Sequence, residues 1–376
     1  MSEKRILLAS LLKPINDTRL YEKLALSLNK LPATTVHVAG YVAPVPTGAP
    51  ASIRFHPIFR FRRLSWGRAK AQLAFYRLLL QVKPHLLIVS THELLAVSWV
   101  YCRLHPCQLV YDLQENYALN LRAQQNYPPL LRQLMAATVR GTEQALAAKV
   151  AHFLVAESAY FRELPFLKSR TTLIENKYKP APNYTLPATP RTMPDQRSLR
   201  LLFSGTIAEL YGVFEAIELA TQLHKQDPNT TLTIIGYCAR PDTLARLREQ
   251  IRGKPFITLI GGEKLVPHQQ ILELIKQSNI GLLPYLPNAS TFSCVPTKLY
   301  EYMAYALPIV IQENPLWQPI IAAADAGISI DFRKINAAAI KNSLHERTFY
   351  RKGIPPAIFW ETEEQKLLAA ITSLQN

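Results

Sequence analysis

The sequence predicts an α/β protein built from two Rossmann-like, doubly wound domains. Apolar segments of strand length alternate with amphipathic segments of helix length, and this alternation occurs twice along the 376 residues. A segment with five prolines, 177–199, separates the two series. Because the chain is long enough for two domains of ordinary size, we expect domains at 1–180 and 200–355, joined by a linker at 181–199.

The first series predicts a mostly parallel sheet. We expect its strands at 5–10, 34–39, 53–57, 86–90, 109–113 and 153–156. Helices are expected at 17–31, at 65–82 and at 128–150, and a short one that follows the strand 86–90 and ends at about Arg103. Asp17 can act as the cap of the first of these helices. Ligands bind at the carboxyl ends of parallel strands, so the polar loops at 11–19, 90–93, 113–116 and 157–158 are candidate binding loops.

The second series repeats the alternation. We expect strands at 199–204, 231–236, 257–260, 280–283 and 309–311. Helices are expected at 212–226, 243–252, 268–277 and 335–344, and the tail at 360–374 has the pattern of an amphipathic helix. The sequence therefore places a second parallel sheet after the linker.

The segment 293–310 combines a helix start with polar residues one turn apart. Pro296 suits the first helical position, and Leu307-Pro308 ends the helix. Thr297 and Glu301 share one face of this helix. The N-terminus of a helix binds phosphate through its unpaired N–H groups, and Glu301 would then lie near a ribose attached to that phosphate. An ordinary amphipathic helix with a surface pair between Lys298 and Glu301 is an equal alternative.

Three segments resemble the nucleotide-binding domain of family-four-like glycosyltransferases, the glycosyl transferases of group 1. They are PTKLYEYMAYALPIV (296–310), IKQSNIGLLPY (275–285) and LLFSGTIAELYGVFEAIELATQL (201–223). The resemblance implies the GT-B fold, in which two Rossmann-like domains face a central cleft and a C-terminal helix, here 356–376, returns to the first domain. It also implies that Glu301 binds the ribose of a nucleotide sugar.

The sequence departs from this family's pattern at three positions. Thr206 and Tyr211 stand where many relatives carry an Arg and a Lys, and Ser293 stands where the first carboxylate of a Glu-x7-Glu pair is expected. Lys298, at the helix N-terminus, is the candidate that replaces the missing cations. The predicted donor-site residues are Gly205, Thr206, Tyr211, Gly212, Gly236, Gly261, Ser293, Thr297, Lys298 and Glu301.

The first domain is implied to hold the acceptor. Its segment YDLQENY (111–117) resembles the Asp-x-His-Glu segment of the family, with Gln114 replacing the histidine. Glu115 and His92 are therefore candidates for binding or deprotonating an acceptor hydroxyl. The alternative is that each is a structural residue at a strand end. The predicted catalytic residues are His92, Glu115, Lys298 and Glu301.

Positive charge is concentrated in the first half of the chain. The net charge is +16, and residues 1–180 contain 24 Lys and Arg against 10 Asp and Glu. No carboxylate occurs between Glu22 and Glu93. The basic residues there include Arg60, Arg62 and Arg63, and the helix expected at 65–82 places Arg68, Lys70 and Arg77 beside Trp66, Phe75 and Tyr76 on one outward face. Such a face predicts docking on an anionic membrane surface. A merely solvated basic surface and nucleic-acid binding are the alternatives, but no nucleic-acid recognition motif is present.

We therefore predict a cytoplasmic, hexosyltransferase-like enzyme of polysaccharide biosynthesis, peripheral at the inner face of the membrane. It would transfer a sugar, with the retention of configuration that the resemblance suggests, from a nucleoside diphosphate sugar to a hydroxyl of a glycan or lipid-linked glycan. No cofactor besides the donor and no obligatory metal are expected, because the sequence has no Asp-x-Asp motif and its histidines are scattered. The four cysteines are expected to be reduced thiols. A non-catalytic GT-B protein that binds a partner or a glycan is the alternative.

Overall fold

A computed structural model describes residues 3–61, 65–123, 128–167, 170–192, 198–288 and 292–375. The chain forms two compact units. Unit 1 comprises Met1–Lys179 and Trp360–Asn376, and unit 2 comprises Pro180–Phe359. The division falls at Lys179, two residues before the linker expected at 181–199, and the chain enters unit 1 again at Trp360.

Unit 1 contains a seven-stranded parallel sheet. Its strands are β1 (Lys4–Pro14), β2 (Thr34–Tyr41), β3 (Ile53–Phe59), β4 (Leu86–Val89), β5 (Gln108–Leu113), β6 (His152–Val155) and β7 (Thr171–Leu173). Their order in the sheet is β3-β2-β1-β4-β5-β6-β7. The chain starts in the middle, adds strands towards one edge and then towards the other, which is the doubly wound topology expected from the sequence.

The helices of unit 1 cover both faces of this sheet. They are a π-helical segment (Thr18–Ala25) that continues into α1 (Leu26–Leu28), then α2 (Gly67–Val82), α3 (Leu95–Leu104) after a 3-10 turn (His92–Leu94), α4 (Tyr117–Ala123), α5 (Pro129–Ala147) and α6 (Tyr160–Glu163). Asp17 caps the first of them, because its side chain accepts hydrogen bonds from the backbone N–H groups of Arg19 and Leu20.

The last helix of the chain, which begins at Trp360, packs within unit 1. The indole Nε1 of Trp360 donates to Ser27 Oγ at 2.9 Å, and its backbone N–H donates to the carbonyl of Tyr178 at 2.7 Å. Leu367 and Ile371 are fully buried in the core between this helix and the sheet. Glu363, also buried, accepts from Lys177 at 2.6 Å. The apolar stripe in the sequence of this segment thus faces the first sheet.

Unit 2 contains a six-stranded parallel sheet and a separate two-stranded antiparallel one. The strands are β8 (Arg191–Thr192), β9 (Arg200–Ser204), β10 (Thr231–Tyr237), β11 (Ile257–Gly262), β12 (Ile280–Leu283), β13 (Ile309–Gln312), β14 (Gly327–Ile330) and β15 (Thr348–Phe349). The parallel sheet has the order β11-β10-β9-β12-β13-β14, and β8 pairs with β15. The segment expected to be only a linker therefore supplies a strand to unit 2.

The helices of unit 2 alternate with its strands. They are α7 (Val213–Gln226) after a 3-10 turn (Glu209–Tyr211), α8 (Pro241–Ile251), α9 (His268–Gln277), α10 (Thr297–Ala304), α11 (Trp317–Ala323) and α12 (Ala337–Glu346). A 3-10 turn (Pro356–Ile358) precedes the last helix of the chain, α13 (Trp360–Gln375). Pro296 was expected at the first helical position but lies one residue earlier, as the cap of α10 with extended ψ.

Among the described residues, no helix combines the length and the apolar character that crossing a membrane requires. All four cysteines are free thiols.

A buried ion pair holds the loop that follows β5. Arg19 donates to both carboxylate oxygens of Asp112, and its Nη2 lies 2.7 Å from Oδ1. Both side chains are almost completely buried. Ser90 and Gln114 also donate to the same carboxylate. Because Asp112 is near the end of β5 and Gln114 precedes Glu115, this network fixes the start of the predicted acceptor loop.

We expect Arg19→Ala to lower the free energy of unfolding by about 3–5 kcal/mol, because it leaves the charge of Asp112 buried without its partner. Urea denaturation monitored by circular dichroism measures this loss. The control is Arg240→Ala, which removes an arginine from an exposed pair with Asp242 and should leave the stability nearly unchanged. Equal stability of the two variants would contradict the role given to the Arg19–Asp112 pair.

Candidate functional site

The predicted donor-site glycines lie at the ends of three neighbouring strands. Gly205 follows β9, Gly236 is near the end of β10, and Gly261 is near the end of β11. A Cβ atom on Gly236 would overlap the carbonyl oxygen of Gly205, and one on Gly261 would overlap that of Gly236. Gly212 likewise lies against the carbonyl of Pro284. The absence of side chains lets these backbones pack directly on one another at the carboxyl edge of the sheet.

Lys298 occupies the space that Gly205 leaves. A Cβ atom on Gly205, which has φ +90°, would overlap Cε of Lys298. The ammonium nitrogen of Lys298 lies 5.4 Å from the ring centroid of Phe203 and 5.6 Å from those of Tyr211 and Tyr285. Burial lowers the pKa of Lys298 to about 8, and the charge of Glu301 opposes this shift. The amine is therefore largely protonated at neutral pH, within a cage of three aromatic rings.

Glu301 lies one turn further along α10 and is buried. His268, the first residue of α9, lies with Nε2 2.5 Å from Oε1 of Glu301, and as the N–H tautomer it donates to this carboxylate. No spacing in the sequence pointed to His268, which is 33 residues from Glu301 and reaches it only in the folded chain. This contact orients the carboxylate that is predicted to bind a ribose.

The segment before α10 is held by two residues that follow β13. Asn314 Nδ2 donates to the carbonyl of Phe292 at 2.8 Å, and the indole of Trp317 donates to the carbonyl of Cys294 at 2.8 Å. Ser293 lies between these two anchors in the sequence, and Thr297 is the first residue of α10, directly before Lys298. Thr206 is exposed in the loop after Gly205. Of the predicted donor-site residues, the structure places Gly205 and Tyr211 beside Lys298 at one edge of unit 2.

The predicted acceptor residues of unit 1 also meet in one place. His92 and Glu115 both line a cavity of 920 Å³, together with Arg68, Glu93 and Tyr117. Apolar side chains form much of the remaining wall, among them Leu12, Phe61, Leu121, Leu134 and Met135. Glu115 accepts a hydrogen bond from Asn120 at 3.1 Å. The cavity thus combines an apolar wall with a small set of polar groups, as ligand sites do.

Several buried polar atoms around this cavity have no hydrogen-bond partner among the described residues. They are Nδ1 of His92, Nε of Arg68 and Oε2 of Glu93. Burial, together with the positive charge of Arg68, lowers the pKa of His92 to about 4, so this histidine is neutral at pH 7. Buried polar atoms rarely lack a hydrogen-bond partner. Three such atoms at one cavity indicate that a polar ligand or water forms hydrogen bonds with them.

Some residues between Glu22 and Glu93 do not lie on the outward basic face that the sequence predicts. Arg68 was expected on an outward basic face, but its Nη1 lies 2.8 Å from Glu93 Oε1 in the cavity wall. Phe75 was expected on the same face and is buried in the core, while Tyr76 packs against Tyr101. Arg62 and Arg63 lie outside the described residues. Local sequence pattern could not predict the position of Arg68, because its partner Glu93 lies 25 positions later in the sequence.

No group of three or more His, Cys, Asp or Glu side chains in the described part of the chain has the arrangement of a metal site. A cationic group available to a phosphate in the predicted donor site is Lys298, supported by the N-terminus of α10.

We expect Gly205→Ala to cost about 1 kcal/mol more stability than Gly253→Ala, because the added methyl group displaces the ammonium end of Lys298 from its aromatic cage. Gly253 is the matched control, since it also has positive φ, +73°, but no described atom lies within 4 Å of a Cβ added there. Both variants bear the conformational cost of an alanine at positive φ, so their difference isolates the contact with Lys298. Equal urea midpoints for the two variants would exclude tight packing of Lys298 on Gly205.

Comparison with known proteins yields a family model for part of the chain and similar folds for all of it. Residues 191–348 match the sequence model of the family described as glycosyl transferases group 1. No curated protein sequence matches the chain at a significant level. Among solved structures, sucrose-phosphate synthase from Thermosynechococcus elongatus is 15% identical with a TM-score of 0.68, over 99% of both chains.

Two further structures show the same fold. HepE from Anabaena, determined in complex with UDP, is 12% identical with a TM-score of 0.65, over 98% of this chain and 100% of that one. WaaG, described as a glycosyltransferase involved in lipopolysaccharide biosynthesis, is 13% identical with a TM-score of 0.63, over 91% of this chain and 90% of that one. The chain as a whole therefore has the GT-B fold, and its residues 191–348 are similar to the glycosyl transferases of group 1.

Proposed function

We propose that the protein transfers a sugar from a nucleoside diphosphate sugar to a hydroxyl of a glycan or lipid-linked glycan. The observation that carries this proposal is the position of Lys298, whose ammonium lies at the N-terminus of α10 beside the Gly205 backbone, one turn before Glu301. A cation and free N–H groups suit a diphosphate, and a buried carboxylate suits the two hydroxyls of a ribose. The HepE structures contain UDP and UDP-glucose, which supports a nucleotide-sugar donor here.

Each donor-site group has a role in this proposal. Lys298 stabilises the negative charge that develops on the leaving diphosphate, and the N-terminus of α10 adds to it. Glu301, oriented by His268, accepts hydrogen bonds from the ribose. Ser293 and Thr297 donate hydroxyl hydrogen bonds to the phosphates or the sugar. The donor is the only cofactor-like molecule required, and transfer proceeds without an obligatory metal.

The acceptor is proposed to enter the cavity of unit 1. Its hydroxyl would form hydrogen bonds with the buried atoms of His92, Arg68 and Glu93 that have no described partner. Because His92 has a pKa of about 4, it acts as a neutral hydrogen-bonding group, and Glu115 is the carboxylate proposed to bind or deprotonate the hydroxyl. The apolar wall formed by Leu121, Leu134 and Met135 fits a lipid-linked acceptor.

Retention of anomeric configuration is part of the proposal, although Ser293 cannot stabilise a cationic sugar as a carboxylate would. A second candidate function is that of a GT-B protein that binds nucleotide sugars or glycans without transferring a sugar. Ser293 favours this candidate, as do Thr206 and Tyr211, which stand in place of two cations. Release of UDP from UDP-glucose in the presence of the protein separates the two, since the second candidate binds the donor but does not turn it over.

The outward face of α2 supports docking on an anionic bilayer at the inner, cytoplasmic side of the membrane. Trp66 is 88% exposed, Leu73 64% and Leu80 42%, and successive members of this set are seven positions apart. Lys70 and Arg77 are exposed between them. At 100° per residue the five side chains fall within an arc of about 80°. Exposed apolar groups flanked by cations are typical of interfacial helices and give no reason for nucleic-acid binding.

We expect UDP affinity to fall as the pH rises from 7 to 9.5. The ammonium of Lys298 is the form that binds phosphate, and its pKa of about 8 means that this form is lost above pH 8, by up to about tenfold in affinity per pH unit. The diphosphate is already fully ionised over most of this range, because the second pKa of a phosphate is about 6. Isothermal titration calorimetry of the full-length chain with UDP measures the dependence.

Two variants assign this dependence to Lys298. Lys298→Arg should bind UDP with an affinity that hardly changes with pH, because a guanidinium stays protonated. Lys298→Met should bind weakly at every pH. If both variants keep the slope of the wild-type protein, Lys298 does not contact the diphosphate.

We expect the protein to sediment with vesicles that contain phosphatidylglycerol and not with neutral ones, with binding that weakens as salt increases. The variant Lys70→Ser/Arg77→Ser should reduce binding about tenfold or more, since each basic residue near an anionic surface contributes about 1 kcal/mol. Trp66→Ser should weaken it further through the loss of an interfacial ring.

The matched control is Lys225→Ser/Lys352→Ser, which removes the same charge from unit 2. This variant should bind vesicles as the wild type does. An equal loss in the control would show that net charge, and not the α2 face, attracts the protein.

A further inference from the structure

A second cavity lies at the edge of the unit 2 sheet opposite the donor site. It has a volume of 490 Å³ and is lined by Arg200, the first residue of β9, by Asn279, which precedes β12, and by Pro308, which precedes β13. The donor-site residues follow the other ends of these strands. Gly205 is five residues beyond Arg200, so the two sites are separated by about 16 Å along β9.

Three cationic side chains line this cavity, and among the described residues no carboxylate does. Arg191 comes from β8, Arg200 from β9 and Lys276 from the last turn of α9. Unit 2 is otherwise close to neutral, because residues 181–376 contain 19 Lys and Arg against 17 Asp and Glu. The concentration of positive charge is therefore a local property of the cavity and not of the whole surface.

The arginines of unit 2 show how unusual this cavity is. Of the nine described arginines, six lie within 3.2 Å of a carboxylate, namely Arg240, Arg246, Arg248, Arg252, Arg333 and Arg351. The other three, Arg191, Arg200 and Arg347, have no ion pair with any described residue. Two of these three line the cavity.

The walls hold these cations in place and add neutral hydrogen-bonding groups. Arg200 donates from Nε to the carbonyl of Gln277 at 2.7 Å, and its backbone N–H donates to Asn279 at 2.7 Å. The ammonium of Lys276 lies 5.6 Å from the ring centroid of Tyr305. Tyr184, which packs edge-on against Tyr305 and donates to the carbonyl of Ala304, also lines the cavity. Asparagine, serine and threonine side chains complete the lining.

We propose that this cavity binds a small phosphorylated polyol, such as a sugar phosphate. Arginine and lysine without carboxylate partners bind phosphate, and mutual repulsion of three cations is relieved by a dianion. Hydroxyl and amide side chains recognise a hydroxylated body, and the volume is in the range of small-molecule sites. The ligand would join β8 to β9 and α9, and would stabilise unit 2 independently of the donor.

The test is calorimetric and thermal-shift titration of the full-length chain at low ionic strength with a hexose 6-phosphate. The free hexose serves as the uncharged control, and inorganic phosphate shows whether the anion alone suffices. We expect the hexose phosphate to bind and raise the melting temperature, and the free hexose to have no effect. Saturating UDP should leave the affinity for the hexose phosphate unchanged.

Arg200→Gln/Lys276→Gln should weaken binding at least tenfold, and Arg191→Gln alone should weaken it severalfold. Arg347→Gln is the matched control, because it removes an arginine of the same unit that also lacks an ion pair with a described residue but lies outside the cavity. All four positions are exposed, so the unliganded melting temperatures should match.

Unchanged binding in Arg200→Gln/Lys276→Gln, or no binding of the hexose phosphate to the wild type, would overturn the proposal. Competition by UDP, or loss of binding in Lys298→Met, would place the hexose phosphate in the donor site and would overturn it as well. An equal loss in Arg347→Gln would show attraction by general charge and would also count against the cavity.

Discussion

The edge of unit 2 that carries the predicted donor site is organised around one contact, the packing of the Lys298 side chain on the backbone of Gly205. The contact requires a residue without a Cβ at the end of β9, and it places the ammonium among the rings of Phe203, Tyr211 and Tyr285. Aromatic rings stabilise a cation without neutralising it, so the charge stays available to an anion. The neighbouring strand ends pack closely for the same reason, because glycine also occupies their ends.

This cage gives a physical account of the departures from the family pattern. Tyr211 stands where many relatives have a lysine, and here its ring forms part of the wall around Lys298. In the proposed function, one cation at a helix N-terminus would take the place of two cations on the glycine loop. Ser293 is not explained in this way, since no described residue supplies a second carboxylate next to it.

The two units use their charges differently. In unit 1 a buried pair, Arg19 with Asp112, organises the loop after β5, while Arg68 and Glu93 face each other in the cavity wall, each with one atom that lacks a described partner. In unit 2 most described arginines pair on the surface, and two of the three that do not are gathered at one cavity. Charges that lack partners therefore mark the places where a ligand is most readily accommodated.

Local sequence pattern was sufficient for most strands and helices of both parallel sheets, because apolar periodicity and the proline and glycine positions are properties of short segments. Among the elements it missed are α4, α11, β7, β14 and the pairing of β8 with β15. The sequence YALNLRA of α4 is too short to establish a helical period, and β8 is only two residues long and gains its partner 156 positions later. The glycines, Lys298 and Glu301 could be named from motif spacing.

The sequence by itself thus determined the alternating α/β architecture, the location of the glycine loop and of the helix proposed to bind phosphate, and the basic character of the first half. Only the tertiary structure decided which charges are free. It paired Arg68 with Glu93, brought His268 to Glu301, buried Phe75, exposed Trp66, Leu73 and Leu80, and grouped Arg191, Arg200 and Lys276. The physical reason is that the partner of a charge and the environment of a ring depend on residues distant in the chain, which local periodicity does not encode.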